Sequence, residues 1–409
     1  MKKEELLIEI LRSTFEGKKI AVCITPDEWK ALFSFAHNQY LFPIVFESVR
    51  LLPVDEACER VFCEYKRKAI IQVAAQIIRN TEFRNLYAKL IDSSLHPIVV
   101  KGQLCSRLYP MPKYRITADD DIFISKGEAM ALHNKLIEFG MTTDAADDEI
   151  NSADEVSYYN DDKTMYIEVH RSLFDSAAES QCGLNRFFDG IFERTVEIDG
   201  FLAMPPHEHL LYLLLHAYKH FIYSGVGIRQ VCDIGLWARE YEADIDWELL
   251  AEQCGEVHAF GFAAAVFAIA GRKLGILKEE SAVSVCPAWA EMQKIDVEPL
   301  LDDMLNGGVY GSDSLTRLHS STITLNAVAA NRTGKRHSVL KSIFPGKRYM
   351  SARYPCIKKC SLLLPAAWVS RAVSYFFETV RTKNSSASAS IALGRSRIEL
   401  LRKYGVIDR

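Results

Sequence analysis

Hydrophobic positions along the 409-residue chain change their spacing twice, and the changes divide it. Up to residue 93 apolar residues recur at three- and four-residue intervals, as in Leu6, Ile8, Ile10, Leu11 and Phe15, the spacing of a helix. Thr25-Pro26-Asp27-Glu28 is a capping pattern ahead of Trp29. Val54 to Ser93 holds no Gly or Pro, and mixes charge with Val61, Phe62, Tyr65, Ile70, Ile71, Val73, Ile77 and Ile78. That stretch predicts one or two long amphipathic helices.

From about residue 94 the period shortens. Ile98-Val99-Val100 is an apolar run stopped by Lys101-Gly102. A helix-compatible segment follows (Gln103 to Tyr109), then a proline-punctuated loop, Arg115, and a second apolar run led by Asp119, Asp120 and Asp121. Lys126 to Phe139 has helical spacing and stops at Gly140. Glu155–Tyr159 and Thr164–His170 are strand candidates around Asn160-Asp161-Asp162, and Thr195–Ala203 is another, with Gly200 inside it. Beyond Pro205 helical spacing returns, and His209 to Ile222 is almost wholly apolar. Further helices are predicted at Arg229–Tyr241, Trp247–Cys254, Val257–Leu274, Pro287–Met292 and Pro299–Leu305. Asn384 to Ser390 reads as a small-residue linker, followed by a short helix over Gly394–Tyr404. The expectation is an α+β chain: a helical region (1–93), a small mixed sheet with helices (94–204), a helical domain (205–330) and a basic helical tail (331–409).

Composition changes little in this picture. With 49% hydrophobic and 25% charged residues the chain has ample core for a soluble globular protein. Its ten cysteines include no CxxC pair, and Cys356 and Cys360 have no second pair to complete a zinc site. MKKEELLIEILRS is an amphipathic helix pattern, not a signal peptide, so a reducing cytoplasm is expected. No apolar run approaches the roughly 18 residues of a membrane span, the nearest being broken by Pro365 and Arg371. Charge matters more. Arg332 onward carries 17 basic and 3 acidic residues, against 32 and 50 before it. Such a tail suits an anionic partner, or the protein's own acidic body.

The candidate chemistry lies in the middle region. Side chains alternate along a strand, so Asp119 and Asp121 share one face and Asp120 takes the other. In MYIEVHRSLF the same alternation presents Glu168 beside His170. Magnesium prefers oxygen ligands and takes one or two carboxylates plus substrate phosphates. Three carboxylates can hold such ions while an oxygen attacks and pyrophosphate leaves. A solvated acidic edge gives the same run of letters. Lys101, Gly102 and Arg115 suit a phosphate: a charge, a close backbone approach and a forked donor. Read plainly, they are a surface lysine, a turn glycine and a salt bridge to the aspartates. His216 and His220, four apart on one helix face, form a cation site if Asp233 joins them; otherwise they line a cleft. His170 reads as a structural partner of the site. No Walker loop, GxSxG elbow or Rossmann fingerprint occurs.

IVVKGQLCSRLYPMPKYRITADDDIFIS, the helix ending at Gly140 and the later IEVH closely resemble the bacterial uncharacterised nucleotidyltransferase family of the DNA polymerase beta superfamily. PPHEHLLYLLLHAYKHFIYSGVGIRQVCDIGLWAR is similar to that family's helical region, and SIFPGKRYMSARYP to the tails of some members. The likeness spans most of residues 70–380. It implies a polymerase-beta-like palm, with Asp119 and Asp121 as metal ligands and Glu168 as third carboxylate. Here Lys101-Gly102 stands where the superfamily usually opens with Gly-Gly or Gly-Ser, and Glu168 where it more often has Asp. The extra methylene makes Glu168 either a less direct ligand or a general base. The activity implied is transfer of a nucleoside monophosphate from an NTP, with Mg2+, to an acceptor hydroxyl on a small molecule, protein or RNA. The other readings are a non-catalytic nucleotide- or nucleic-acid-binding module, a toxin–antitoxin-type regulator modifying protein or tRNA, and a sugar- or polysaccharide-pathway transferase.

Overall fold

The computed structural model describes residues 2–307 except 177, 179, 182 and 224, short pieces between 321 and 370, and residues 387–407. Helix α1 (Lys3–Phe15) is followed by α2 (Pro26–Asn38), α3 (Phe42–Val49) and the 37-residue α4 (Glu56–Asp92). The Thr25 hydroxyl accepts from the Glu28 amide while Glu28 reaches back to the Thr25 amide, so the expected capping box starts α2. The α4 helix departs from a simple amphipathic pattern. It buries Val61, Phe62, Phe83, Leu86 and Leu90 but leaves Ile70, Ile71, Ile77 and Ile78 between 44 and 68% exposed. Its inward face in that middle stretch is polar, because there it meets a loop rather than a core.

The sheet comprises β1 (Ile98–Val100), β2 (Asp120–Phe123), β3 (Met141–Thr142), β4 (Glu155–Asn160) and β5 (Tyr166–His170), in the order β1-β2-β5-β4-β3. Only β2 and β5 run parallel. Short helices fill the connections: α5 (Gly102–Ser106), α6 (Ala129–Glu138) and α7 (Asp147–Ser152), the last of which hydrophobic spacing does not reveal. The expected strand over Thr195–Ala203 is instead a hairpin, β6 (Val196–Ile198) and β7 (Phe201–Ala203). Asp199 and Gly200 both have positive φ (56° and 78°), the two-residue turn that suits the twist of paired strands.

Helices α8 (Pro206–Tyr223), α9 (Ile228–Glu240), α10 (Trp247–Glu256), α11 (Phe260–Ala268), α12 (Ala282–Val285) and α13 (Glu298–Gly307) complete the body. The helix expected over Val257–Leu274 begins later and ends in a π-helical turn, Ile269–Lys273. Most of α8 and α9 is buried, which is why α8 reads as a continuous apolar run. Helix α14 (Ala387–Lys403) takes in residues 387–390 of the expected linker. It docks through buried Ile398, Leu400 and Leu401, with Lys403 pairing with Asp296 at 2.5 Å and Arg397 3.9 Å from Asp303. For this part of the basic tail, the anionic surface it meets is the chain's own. Most of the rest of that tail, with Cys356 and Cys360, lies outside the described residues. Among the described residues no helix is long and apolar enough to cross a membrane.

Candidate active site

The sheet register brings the carboxylates together. Asp121 lies opposite Glu168 in the parallel pair β2–β5, and His170 lies opposite Glu155 in β4–β5, so these side chains share one face. Asp120 takes the other face, is 1% exposed, and accepts from Gln103 Nε2 at 2.7 Å. Burial, with the neighbouring acids, pushes its carboxyl up to about 7. Asp119 stands just ahead of β2 and lines the same cavity as Asp121 and Glu168.

That cavity, about 370 Å³, has two unlike walls. One carries Asp119, Asp121, Glu155, Glu168 and His170; the other carries Lys101, His216, Lys219, His220 and Arg229. Lys101 spans the gap. Its Nζ lies 2.7 Å from Asp121 Oδ1 and 3.1 Å from His216 Nε2. Its backbone has φ 55° and ψ −115°, a region that side-chain-bearing residues rarely adopt and that costs about 1–3 kcal/mol. Gly102 needs no such freedom: a Cβ there would meet Thr117 at 3.5 Å, ordinary contact. Helix α5 behind it is a single short turn.

Asp121, Glu168 and His170 each place a ligand atom within 4.8 Å of the others. His170 Nε2 lies 2.9 Å from Asp121 Oδ1 and 3.8 Å from Glu168 Oε2. Burial and the charges of Asp121 and Asp119 raise the Glu168 carboxyl to about 8. Burial acts against ionised Asp121 too, but Lys101 and His170 outweigh it and hold that group well below the usual carboxylate range. So much negative charge at one spot, with oxygen and imidazole donors converging, fits a divalent cation.

Arg115 lines the cavity, but its donors are engaged by the protein. Only 3% exposed, it donates from Nε (2.8 Å) and Nη2 (2.6 Å) to Asp233 and from Nη1 to the Gly102 carbonyl at 3.2 Å. Tyr109 adds its hydroxyl to Asp233 at 2.8 Å. The protein partner of Arg115 is thus a residue of α9 and not the aspartates of the acidic run, and the bridge ties that helix to the Lys101-Gly102 turn. Asp233, His216 and His220 line the same cavity, but among the described residues these three form no metal-binding cluster. The two imidazoles are 3.3 Å apart at Nε2, and burial depresses both, His220 to about 3. Neutral at physiological pH, His216 can accept from Lys101.

Three features escape a reading of the sequence. Lys219 and Arg229 join the basic wall, although nothing in their local sequence marks them. The third is the clamp on the loop before β2. Gln76 bonds Thr117 twice, side chain to hydroxyl and amide to side chain, each at 2.8 Å. Asn80 Oδ1 accepts from Gln76 and from Gln103, the residue that also bonds Asp120. The polar inner face of α4 therefore fixes the segment that delivers Asp119 and Asp121.

Beneath the cavity, His209 is fully buried and stacked on Trp237 at 4.0 Å, and burial lowers its pKa to about 3. Its ionisation is linked to folding. The unfolded chain binds this proton near the ordinary histidine value and the folded chain does not, so the stabilisation is complete above about pH 6.5 and is lost as pH falls. Between about pH 6 and 4 this residue should steepen the loss by about 1.4 kcal/mol per pH unit. Urea titrations of wild type and His209→Phe across that range should show the shallower slope in the variant.

A cavity with a carboxylate wall facing a cationic one, at the edge of a short mixed sheet, is the kind of site that handles phosphate anions together with a metal. The chain belongs to a family described as uncharacterised nucleotidyltransferase, whose model matches residues 25–275. No curated protein and no solved structure matches it.

Proposed function

We propose that the chain binds an NTP with Mg2+ in this cavity and transfers its nucleoside monophosphate to an acceptor hydroxyl, with Asp119, Asp121 and Glu168 as the working carboxylates. The observation that carries the reading is the pairing of Asp121 with Glu168 across β2–β5, opposite Lys101 and Lys219. Asp121 and Asp119, with Glu168 in reach, would hold the ion; when bound, it neutralises charge on the triphosphate and the departing pyrophosphate. His170 orients Asp121 through its Nε2 contact. The basic wall takes the triphosphate, and Lys101 exchanges its bond to Asp121 for one to phosphate. In the reaction the acceptor oxygen bonds to the α-phosphorus, the α–β bridging P–O bond breaks, and pyrophosphate leaves with that electron pair. The hydroxyl proton passes to Glu168, which faces the cavity beside Asp121.

Lys219 lines the cavity, and burial with the nearby Lys101 charge lowers its pKa. A phosphate would relieve both effects. Lys219→Met should therefore weaken NTP binding by about 10- to 100-fold, the loss of one charge-assisted hydrogen bond, without lowering thermal stability. Calorimetric titration of both proteins checks it. The reading as a whole is tested by a thermal-shift screen of the four NTPs with and without magnesium. A ligand bound only by the folded chain raises the midpoint, and at 100 times its Kd stabilises by about 2.7 kcal/mol. At least one NTP should do so in a magnesium-dependent way, and no shift with any of them would count against the assignment.

A further inference from the structure

The middle of α4 turns its apolar side outward. Ile70, Ile71, Ile77 and Ile78 are exposed, and so are Ala74 and Ala75 between them. At about 3.6 residues per turn, the four isoleucines fall within about 60° of Ala74 and form one stripe. Gln72 and Gln76 point the other way, to His37 and Thr117. The body of the protein takes the polar face of this stretch and leaves the apolar face outside, the reverse of an ordinary surface helix. The stripe is also symmetric. From Ile70 to Ile78 the chain reads Ile-Ile-Gln-Val-Ala-Ala-Gln-Ile-Ile, so each Ile and Gln on one side of Ala74 has its like at equal distance on the other.

We propose that two copies of this chain associate through the stripe, with their α4 helices antiparallel about a two-fold axis at Ala74. Turned end for end, a row of this symmetry presents the same side chains at the same spacing. An isologous contact requires that, and a contact with a different protein does not. Ile70 then meets Ile77 of the second copy, Ile71 meets Ile78, and the two Ala74 methyl groups sit at the centre. Small side chains there permit an approach of about 8 Å between helix axes. Charge selects the direction. Arg67 and Glu82 flank the stripe at opposite ends, and neither has an ion-pair partner among the described residues. Antiparallel helices bring Arg67 against Thr81 and Glu82 of the second copy, whereas parallel ones set Lys66-Arg67-Lys68 on itself. Isoleucines spread over only about 12 Å of helix make a small contact, so the dimer is weak, of about micromolar strength. The proposal is independent of the catalytic reading above.

Sedimentation of the full chain from about 1 to 100 µM tests it, and wild type should pass from monomer to dimer over that range. Ile71→Glu with Ile78→Glu sets carboxylates against each other across the axis and should weaken the dimer by at least about 100-fold. Both positions are exposed in the single chain, so in dilute solution this variant should melt at the wild-type temperature. Glu82→Arg should weaken the dimer by about tenfold, and Arg67→Glu added to it should restore the loss. Mild oxidation reports the direction. Ala74→Cys should give an interchain disulfide, because the axis brings its two Cα atoms within about 4–7 Å. Exposed Cys63, on the same face, should give none, because antiparallel helices hold its two copies about 30 Å apart. A dimer that survives the paired isoleucine substitution, or one linked through Cys63 instead of Ala74→Cys, overturns the proposal. So does a wild type that stays monomeric at about 100 µM. In that case a lower melting temperature in the isoleucine variant identifies another segment of the chain as the cover, and an unchanged one a partner of another kind.

Discussion

Asp121→Asn should abolish transfer of label from α-phosphate-labelled NTP, lowering the rate by well over about 100-fold, while the protein stays folded. Removing a hydrogen-bonded partner of a metal ligand typically costs about 10- to 100-fold, and removing the ligand itself costs more. His170→Gln supplies that lesser reference, because His170 orients Asp121 through its 2.9 Å contact. The order Asp121→Asn below His170→Gln below wild type is the expected result, measured in a lysate that supplies acceptors. Retention of near-normal transfer by Asp121→Asn would place the chemistry elsewhere. Some structural effect is expected too, since Lys101 loses its 2.7 Å partner, and circular dichroism melts would separate it from the chemical one.

The largest effect on stability is expected at Asp233. Its carboxylate and the Arg115 guanidinium are nearly inaccessible, at 8 and 3% side-chain exposure, and bond at both oxygens. Asp233→Ala would leave the arginine charge buried without its counterion, a loss of about 3–5 kcal/mol. A pair worth only its surface value would cost about 1 kcal/mol or less. Urea unfolding distinguishes the two. The double variant Arg115→Met, Asp233→Leu should recover much of the loss, because replacing both charges removes the desolvation penalty with the attraction. It should not recover activity, because the bridge also anchors the Lys101-Gly102 turn through the Gly102 carbonyl.

These two sites show what local pattern reveals and what it hides. The placement of Asp121, Asp120 and Glu168 on their faces follows from strand alternation, which depends only on neighbours in sequence. The helices that start with capping residues, such as α2, are legible for the same reason. Arg115 was not. Its position in a loop before an acidic strand suggests a phosphate or an aspartate partner, whereas its actual partner is 118 residues away on α9. Lys219 is hidden differently: on a helix buried along most of its length, one lysine gives no sign of which cavity it will enter. The isoleucines of α4 mislead in the opposite sense. Their spacing promises burial, but the core they would face is occupied by Thr117 and its glutamine clamp. The hairpin at Asp199-Gly200 carries its turn in the sequence, an Asp-Gly pair between two short apolar runs.

Titration calorimetry of a non-hydrolysable NTP, with and without magnesium, on wild type and Glu168→Gln bears most directly on the convergence of Asp121 and Glu168 upon one cation. One NTP per chain, bound only when the divalent ion is present and weakened by Glu168→Gln, is the predicted result. Binding of equal strength without the ion, and unaltered in the variant, would contradict it.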